Sequence, residues 1–292
     1  MLICSLFGGI GNQMFQYACA YSLAVNLKKE LLVDYSFYKT FKIYHPMSNL
    51  NNFFNISKIN DNFVCKKIYL ISKSIFYKKL VVKFPFLNLF NKFIINESNF
   101  NIKSIKKKNI VYLLGYFQNE FFFSKNKKDI LKIFNLNFDI GFNDSLKKKI
   151  ILSNSVSIHI RRGDYLGKKL FEKDIALSMD YYKISIDYIK KKISNPIFFV
   201  FTDDLTWAKN VFKKEFPFIN IVDNSKYKKS PKIDFFLMSK CRHNIIANST
   251  YSWWAAWLNQ NKSKIVIAPN DWKNRSIIFK DNIGIPKSWI RL

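Results

Sequence analysis

The sequence predicts an α/β protein of two Rossmann-like domains, each built on a parallel sheet, and three observations carry that expectation. Five short apolar runs follow one another through the C-terminal half: "VSIHI" (156–160), "IFFVF" (197–201), "INIV" (219–222), "NIIA" (244–247) and "KIVIA" (264–268). Stretches of helical period lie between most of them, and repeated strand–helix–strand units imply right-handed crossovers and a doubly wound sheet. The N-terminus opens in the same manner, with a strand, a glycine turn and a helix.

Taken in order, "LICSL" (2–6) reads as a strand, "FGGIGNQ" (7–13) as a turn, and "MFQYACAYSLAVNL" (14–27) as a helix with Met14, Tyr17, Tyr21 and Ala24 on one apolar stripe. Residues 40–110 are rich in Asn, Phe and Lys without clean periodicity and read as irregular helices and loops. The polar stretch "GFNDSLKKK" (141–149) marks the domain boundary, giving an N-terminal domain over 1–145 and a C-terminal domain over 146–292. Beyond it, "IFFVF" lacks polar alternation, as befits a strand covered on both faces. The helix "YYKISIDYIKKKI" places Tyr182, Ile186, Ile189 and Ile193 on one stripe, and "LTWAKNVFKKEF" does the same with Leu205, Ala208 and Phe212. "IDFFLMSKC" and "YSWWAAWLN" are shorter helices. Ligands of such sheets bind beyond the carboxyl ends of the strands.

A chain of 292 residues, 49% hydrophobic and 17% aromatic, can bury a sizeable core. Cys4, Cys19, Cys65 and Cys241 are scattered with no CxxC pair, which argues against structural zinc and a disulfide framework and fits a reducing cytoplasm. "MLICSLFGG" is too short an apolar run to span a bilayer and lacks a signal-peptide pattern. The formal net charge of +28 admits three partners: nucleic acid, an anionic membrane surface, or an anionic substrate. Its lysine runs also suit plain solvated faces in a chain rich in Asn, Ile and Phe. No nucleic-acid module accompanies the charge, so no nucleic-acid partner is expected.

Four strand-end segments carry candidate chemistry. The loop "GGIGNQ" opens a helix whose N–H groups can meet an anion, but Met14 stands where a dinucleotide fingerprint needs its third glycine, and a plain tight turn fits equally well. In "SIHIRRGDY" (157–165), alternation puts Val156, Ile158 and Ile160 on one face and Ser157, His159 and Arg161 on the other. Two adjacent arginines at a strand end call for a negative partner. An ion pair with Asp164 accounts for one of them, and a diphosphate, matched by guanidinium forks, accounts for both. In "FTDD", Asp203 or Asp204 can cap the following helix, with a ligand role left open by its place at a strand end. In "IIANSTYSWWAAW", Asn248, Ser249 and Thr250 can cap a helix or hold a phosphate at its N-terminus, while Trp253, Trp254 and Trp257 read as packing residues. The absence of Asp-x-Asp makes a metal-held nucleotide the weaker reading, so no metal site is expected.

These segments together resemble the bacterial alpha-1,2-fucosyltransferases. "FGGIGNQMFQYACAYSLA", "LLGYFQNEFFF" (113–123), "HIRRGDY", "MDYYKISI" (179–186), "FTDDLTWAK", "LMSKCRHNIIANSTYSWWAAWL" (237–258) and the terminal "PKSWIRL" occur in the family's order and span almost the whole chain, with the poorest fit over 40–110. "HIRRGD" is similar to the H-x-R-R-x-D motif shared with alpha-1,6-fucosyltransferases. The resemblance implies a GT-B-like pair of α/β domains, the N-terminal one on the acceptor side and the C-terminal one binding the donor, with GDP-fucose as donor, galactose as acceptor, inversion at the anomeric carbon and no required metal or other cofactor. It implies that Arg161 contacts the β-phosphate, that Asp234 reads the guanine edge, that Asn12 with Gly11 lies close to the donor, and that Ser249 and Thr250 touch the diphosphate. His159 is expected to orient the arginine or touch the nucleotide, Arg162 to share the phosphate, and Asp164 to hold Arg162. The expected activity is that of a galactoside 2-alpha-L-fucosyltransferase acting in lipopolysaccharide-type glycan synthesis, cytoplasmic, with peripheral contact at the anionic inner face of the membrane. Two alternatives stand beside it: the same fold with another sugar nucleotide or linkage, and a basic membrane or nucleic-acid binder without catalysis.

Overall fold

The computed structural model describes residues 1–35, 38, 50–54, 56, 93–136, 144–167, 169, 170, 173, 174, 176–223, 230–270, 272 and 284–292. Most of the stretch read as irregular over 40–110, together with Cys65 and residues 141–143, lies outside them. The chain divides into two compact units, one of Met1–Phe134 with Asn274–Gly284 and one of Asn135–Lys273 with Ile285–Leu292. Each carries a parallel sheet, as the sequence predicts.

The first unit holds β1 (Leu2–Ser5), β2 (Leu31–Asp34), β3 (Ile94–Ile95) and β4 (Val111–Leu113) in the order β2-β1-β4-β3. Helix α1 starts at Ile10 and runs to Leu27, four residues earlier than the periodicity suggests. The turn ends sooner because only Gly8 adopts a left-handed backbone (φ +77°), whereas Gly9 is extended and serves as the N-cap. Nor is α1 apolar on a single stripe. From Ile10 to Ala20 it is buried on nearly every side, with Gln13 and Gln16 inside. Gln13 Nε2 donates to the Gly8 carbonyl (3.1 Å) and Gln16 Oε1 accepts the Phe7 N–H (3.1 Å), while Gln16 Nε2 has no hydrogen-bond partner among the described residues.

The second unit holds β5 (Ser155–Ile160), β6 (Ile197–Thr202), β7 (Asn220–Ile221), β8 (His243–Ile245), β9 (Val266–Ala268) and β10 (Ile290–Arg291), all parallel, in the order β10-β9-β8-β5-β6-β7. Every one of the five apolar runs contains a strand. The sixth, in "PKSWIRL", carries no run long enough to announce itself. Helices α2 (Asp144–Leu152), α3 (Met179–Lys192), α4 (Pro231–Lys240) and α5 (Thr250–Leu258) supply connections. Tyr182, Ile186 and Ile189 of α3 are buried against Ile158, Phe198 and Val200, and each fully buried Phe or Ile contributes about 1.5–3 kcal/mol. Trp253, Trp254 and Trp257 are packing residues as read, their rings 5.1–6.2 Å apart inside α5. The helix after β6 departs from a regular stripe: between Leu205–Trp207 and Lys213–Glu215 it widens to a π-helix over Ala208–Phe212, which keeps Ala208 and Phe212 buried. Among the buried polar residues of these strands, Asn244 donates to Ser157 Oγ (2.7 Å) and the Met238 carbonyl (2.8 Å) and accepts from Asn259 Nδ2 (2.8 Å), so its burial leaves no unmet group.

In this strand order the chain leaves β5 in one direction for β6 and β7 and returns on the other side for β8, β9 and β10. The reversal falls between β5 and β8, and in such sheets the crevice beyond the carboxyl ends at that point is where ligands bind.

Candidate active site

The candidate residues of the second unit gather at that switch point. Strands β5 and β6 pair with Ile160 opposite Thr202, so the residues just beyond them, Arg161–Arg162 and Asp203–Asp204, are delivered side by side. Arg161 Nη1 lies 2.8 Å from Asp203 Oδ2, and Nη2 lies 2.7 Å from Asp164 Oδ1. The Arg162 N–H donates to Asp203 Oδ1 (2.9 Å), its Nε lies 3.4 Å from Asp204 Oδ2, and its guanidinium stacks 4.0 Å from the centre of the Trp207 ring. Asp203 therefore orients Arg161 and anchors the backbone of Arg162 at once.

Two expectations change here. Asp164 pairs with Arg161 and not with Arg162, because the 3-10 turn Gly163–Tyr165 folds its carboxylate back over the first arginine. The argument that two arginines need a bound diphosphate also loses its premise, since each guanidinium already has a carboxylate partner within the protein. The capping question is settled as well: Asp204 Oδ1 accepts the Trp207 N–H (3.0 Å) and caps the helix, which leaves Asp203 to the arginines.

His159 lies on the same strand face, one alternation before Arg161. It is fully buried, with its ring centre 5.6 Å from that of Tyr251. Burial, reinforced by the Arg161 charge, lowers its pKa to about 3, so the imidazole is neutral near pH 7. Its Nδ1 has no hydrogen-bond partner among the described residues.

On the other side of β5, β8 leads into α5. Ser249 occupies the N-cap with extended backbone, yet makes no capping bond, contrary to the capping role open to it from sequence. The turn is held instead by Ser249 N–H donating to the Ala247 carbonyl (2.7 Å) and by Ser252 Oγ donating to the Ser249 carbonyl (3.2 Å). Thr250 begins the helix. Tyr251 donates its hydroxyl to the Pro231 carbonyl, tying α5 to the start of α4, where Asp234 sits half-buried in the first turn. Burial, then the Asp234 charge, raises the Tyr251 pKa, so the phenol stays protonated.

Gly11 and Asn12 belong to the first unit. Gly11 is buried within the first turn of α1 and is not part of a loop. Asn12 Oδ1 accepts from Gln118 Nε2 (2.8 Å), and a Cβ on Gly8 would lie 2.7 Å from Asn12 Nδ2, so a side chain there would collide with the amide. The segment bearing Gln118 is set by Glu97, whose Oε1 accepts the N–H groups of Tyr116 (2.5 Å) and Phe117 (2.7 Å) while Phe117 holds φ +50°. Gln118, Glu97, Trp207 and Tyr251 escaped the sequence reading as functional residues. Trp207 alone carried a signal, standing one helical turn beyond the capping aspartate. Among the described residues no group of three or more His, Cys, Asp or Glu is placed to hold a metal ion.

The model of "Glycosyl transferase family 11" matches residues 2–292. The chain is 38% identical to the "O-antigen biosynthesis glycosyltransferase WbnK" of Escherichia coli, over 98% of this chain and 99% of that protein. It is 35% identical to the "Alpha-1,2-colitosyltransferase" of Escherichia coli, over 100% of this chain and 99% of that one. Among solved structures it is similar to the NodZ alpha-1,6-fucosyltransferase soaked with GDP-fucose, with a TM-score of 0.50 at 15% identity over 88% of this chain and 91% of that one, a likeness of fold.

Proposed function

The chain belongs to glycosyl transferase family 11, and from that premise we propose that it is a cytoplasmic, inverting fucosyltransferase. It would move fucose from GDP-fucose to the 2-hydroxyl of a terminal galactose in a cell-surface glycan precursor, forming an alpha-1,2 linkage. The observation that carries the reading is the pairing, on either side of β5 at the switch point, of a guanidinium fixed by two carboxylates with a helix N-terminus whose N-cap serine makes no capping bond. Both are donors suited to an anion. The full-length relatives named for O-antigen synthesis and for an alpha-1,2 linkage support the same reading.

Breaking the bond from fucose to GDP builds positive charge on the sugar ring and negative charge on the departing diphosphate. Donors fixed in advance at the diphosphate stabilise that transition state without reorganising. Arg161 takes the β-phosphate. Asp164, whose side chain is 53% exposed against 25% for Asp203, is the partner that gives way to it, while Asp203 stays and keeps the guanidinium aimed. Ser249 and Thr250 present their hydroxyls, and Thr250 its N–H, to the remaining diphosphate oxygens, and the Asp234 carboxylate suits the N1 and N2 donors of guanine. Neutral His159 packs beside Arg161 without adding a like charge. With a pKa near 3 it is a poor acceptor for the proton of the attacking hydroxyl, so that base is a different group.

A second reading keeps this site and changes the sugar, because one full-length relative is named for colitose, which lacks the 3-hydroxyl of fucose. Purified protein incubated with GDP-fucose, GDP-colitose and a uridine sugar nucleotide beside several galactosides separates the two by product mass. Transfer of fucose to a galactoside, with the linkage assigned by NMR, is the expected result. Transfer from GDP-colitose alone would establish the second reading, and transfer from the uridine donor alone would overturn both.

A further inference from the structure

The parallel strands of the second unit bring every segment that enters β5 to β9 to one edge of the sheet, opposite the arginines. Hydrogen bonds join these segments into one face. Arg242 Nη1 donates to Asn154 Oδ1 (2.8 Å), Asn154 Nδ2 to the Ser194 carbonyl (2.8 Å), Asn261 Nδ2 to the Arg242 carbonyl (3.0 Å), and Lys149 Nζ to Asn220 Oδ1 (3.1 Å). The charge differs between the two edges. The carboxyl edge sets Arg161 and Arg162 against Asp164, Asp203 and Asp204, with Asp234 nearby, whereas the entering edge exposes Lys190, Lys191, Lys192, Lys213, Lys214 and Arg242, with Glu215 among them.

Helix dipoles favour lysine at helix C-termini and account for part of this. They do not account for the apolar side chains in the same face. Leu152 is 79% exposed and Phe218 47%, and the Lys190 ammonium stands 3.6 Å from the centre of the Phe218 ring. Lys147 and Lys240 crowd a single ring, that of Phe236, at 5.7 and 5.2 Å, with no ion pair for either among the described residues. A merely solvated face gains nothing from bare leucine and phenylalanine among its cations. A bilayer surface takes both, the ammonium groups meeting headgroup phosphates and the apolar tips entering the acyl boundary.

We propose that this entering edge of the second unit is a docking surface for an anionic lipid bilayer. The proposal concerns a surface and not the reaction, so it stands apart from the donor and acceptor assigned above. The test floats the full-length protein with phosphatidylglycerol-containing vesicles and with phosphatidylcholine vesicles at moderate salt. The variants are Lys190→Glu/Lys192→Glu/Lys213→Glu on the face, Leu152→Ser/Phe218→Ser on the same face, and Lys125→Glu/Lys128→Glu/Lys132→Glu in the first unit, which makes an equal charge change elsewhere. Wild type should float with the anionic vesicles only. The face triple should lower the bound fraction by about tenfold or more, and the control triple by less than about twofold. The apolar pair should weaken retention at high salt, and all variants should keep wild-type circular dichroism and transfer to a soluble galactoside. Equal loss in the two triples would reduce the effect to diffuse charge and overturn the proposal, as would failure of wild type to prefer the anionic vesicles. Displacement from those vesicles by a polynucleotide at equal phosphate would assign the face to nucleic acid instead.

Discussion

Replacing Arg161 by lysine tests the proposed chemistry most directly. The guanidinium spends Nη1 on Asp203 and Nη2 on Asp164, at 2.8 and 2.7 Å, a geometry that only a planar fork supplies. A lysine ammonium keeps the charge but reaches one carboxylate at a time, and loses the parallel donors that a phosphate would meet. The structural cost is small, because the side chains are 24–53% exposed and such pairs contribute about 0–1 kcal/mol each, so the two together are worth no more than about 2 kcal/mol. The catalytic cost is larger. Removing one donor that acts on transition-state charge costs about 2.7–4 kcal/mol, or 100- to 1,000-fold in turnover.

The assay is kcat at saturating GDP-fucose, with folding followed by thermal circular dichroism. Arg161→Lys is expected to lose about two to three orders of magnitude in kcat with a modest change in Tm. Arg162→Lys should be milder in kcat, because its guanidinium is held against Trp207 at 4.0 Å and at 3.4 Å from Asp204, and lysine retains part of both contacts. Near-normal kcat in folded Arg161→Lys, or a reversed order of the two variants, would refute the reasoning and leave the arginine pair structural.

Asp234→Asn should weaken GDP affinity while leaving kcat at saturating donor nearly intact, since its proposed partner is the base, remote from the reacting carbon; unchanged affinity by calorimetry would discard the guanine assignment. Transfer should persist in excess EDTA, because arginine is proposed to carry the charge compensation, and loss restored by added Mg²⁺ would reverse that. Stability should depend on pH through His159. Its pKa is about 3 when folded against an ordinary 6.5, so below pH 6.5 the unfolded chain binds a proton that the folded chain refuses. Its contribution is therefore complete above 6.5 and erodes as pH falls toward 3, by about 1.4 kcal/mol per unit, or about 2 kcal/mol between 6.5 and 5. Urea titrations of wild type and His159→Gln should show the variant flatter over that range, and parallel slopes would deny the burial effect.

The strands were legible because burial on both faces favours β-branched and aromatic residues: "IFFVF" is an unbroken run of them, and "VSIHI" alternates Val156, Ile158 and Ile160 with Ser157 and His159, all five buried. The glycine loop was less legible, since three glycines within four residues read as one turn while the backbone needs a left-handed angle only at Gly8. Partners of the arginines were misread for a related reason. Sequence proximity favoured Asp164, and its turn geometry decides which arginine it reaches, something no spacing rule states.

Yet one inference lay open in the letters. Two parallel neighbours ending in register, one in "IRR" and the other in "TDD", must set two arginines beside two aspartates, and the pairing of Ile160 with Thr202 does so. Asp203 and Asp204 together with Asp164 set three carboxylates against two guanidinium groups, an excess of one negative charge (3 − 2 = 1) where an anion is proposed to bind. A diphosphate cannot simply add to such a cluster. It must take the place of a carboxylate, and Asp164 is the one whose side chain is half in water and whose removal leaves Asp203 still gripping Arg161. In the proposed reaction the protein's own carboxylates hold the arginines in the arrangement that the leaving diphosphate needs, so that the donors are oriented before the charge appears.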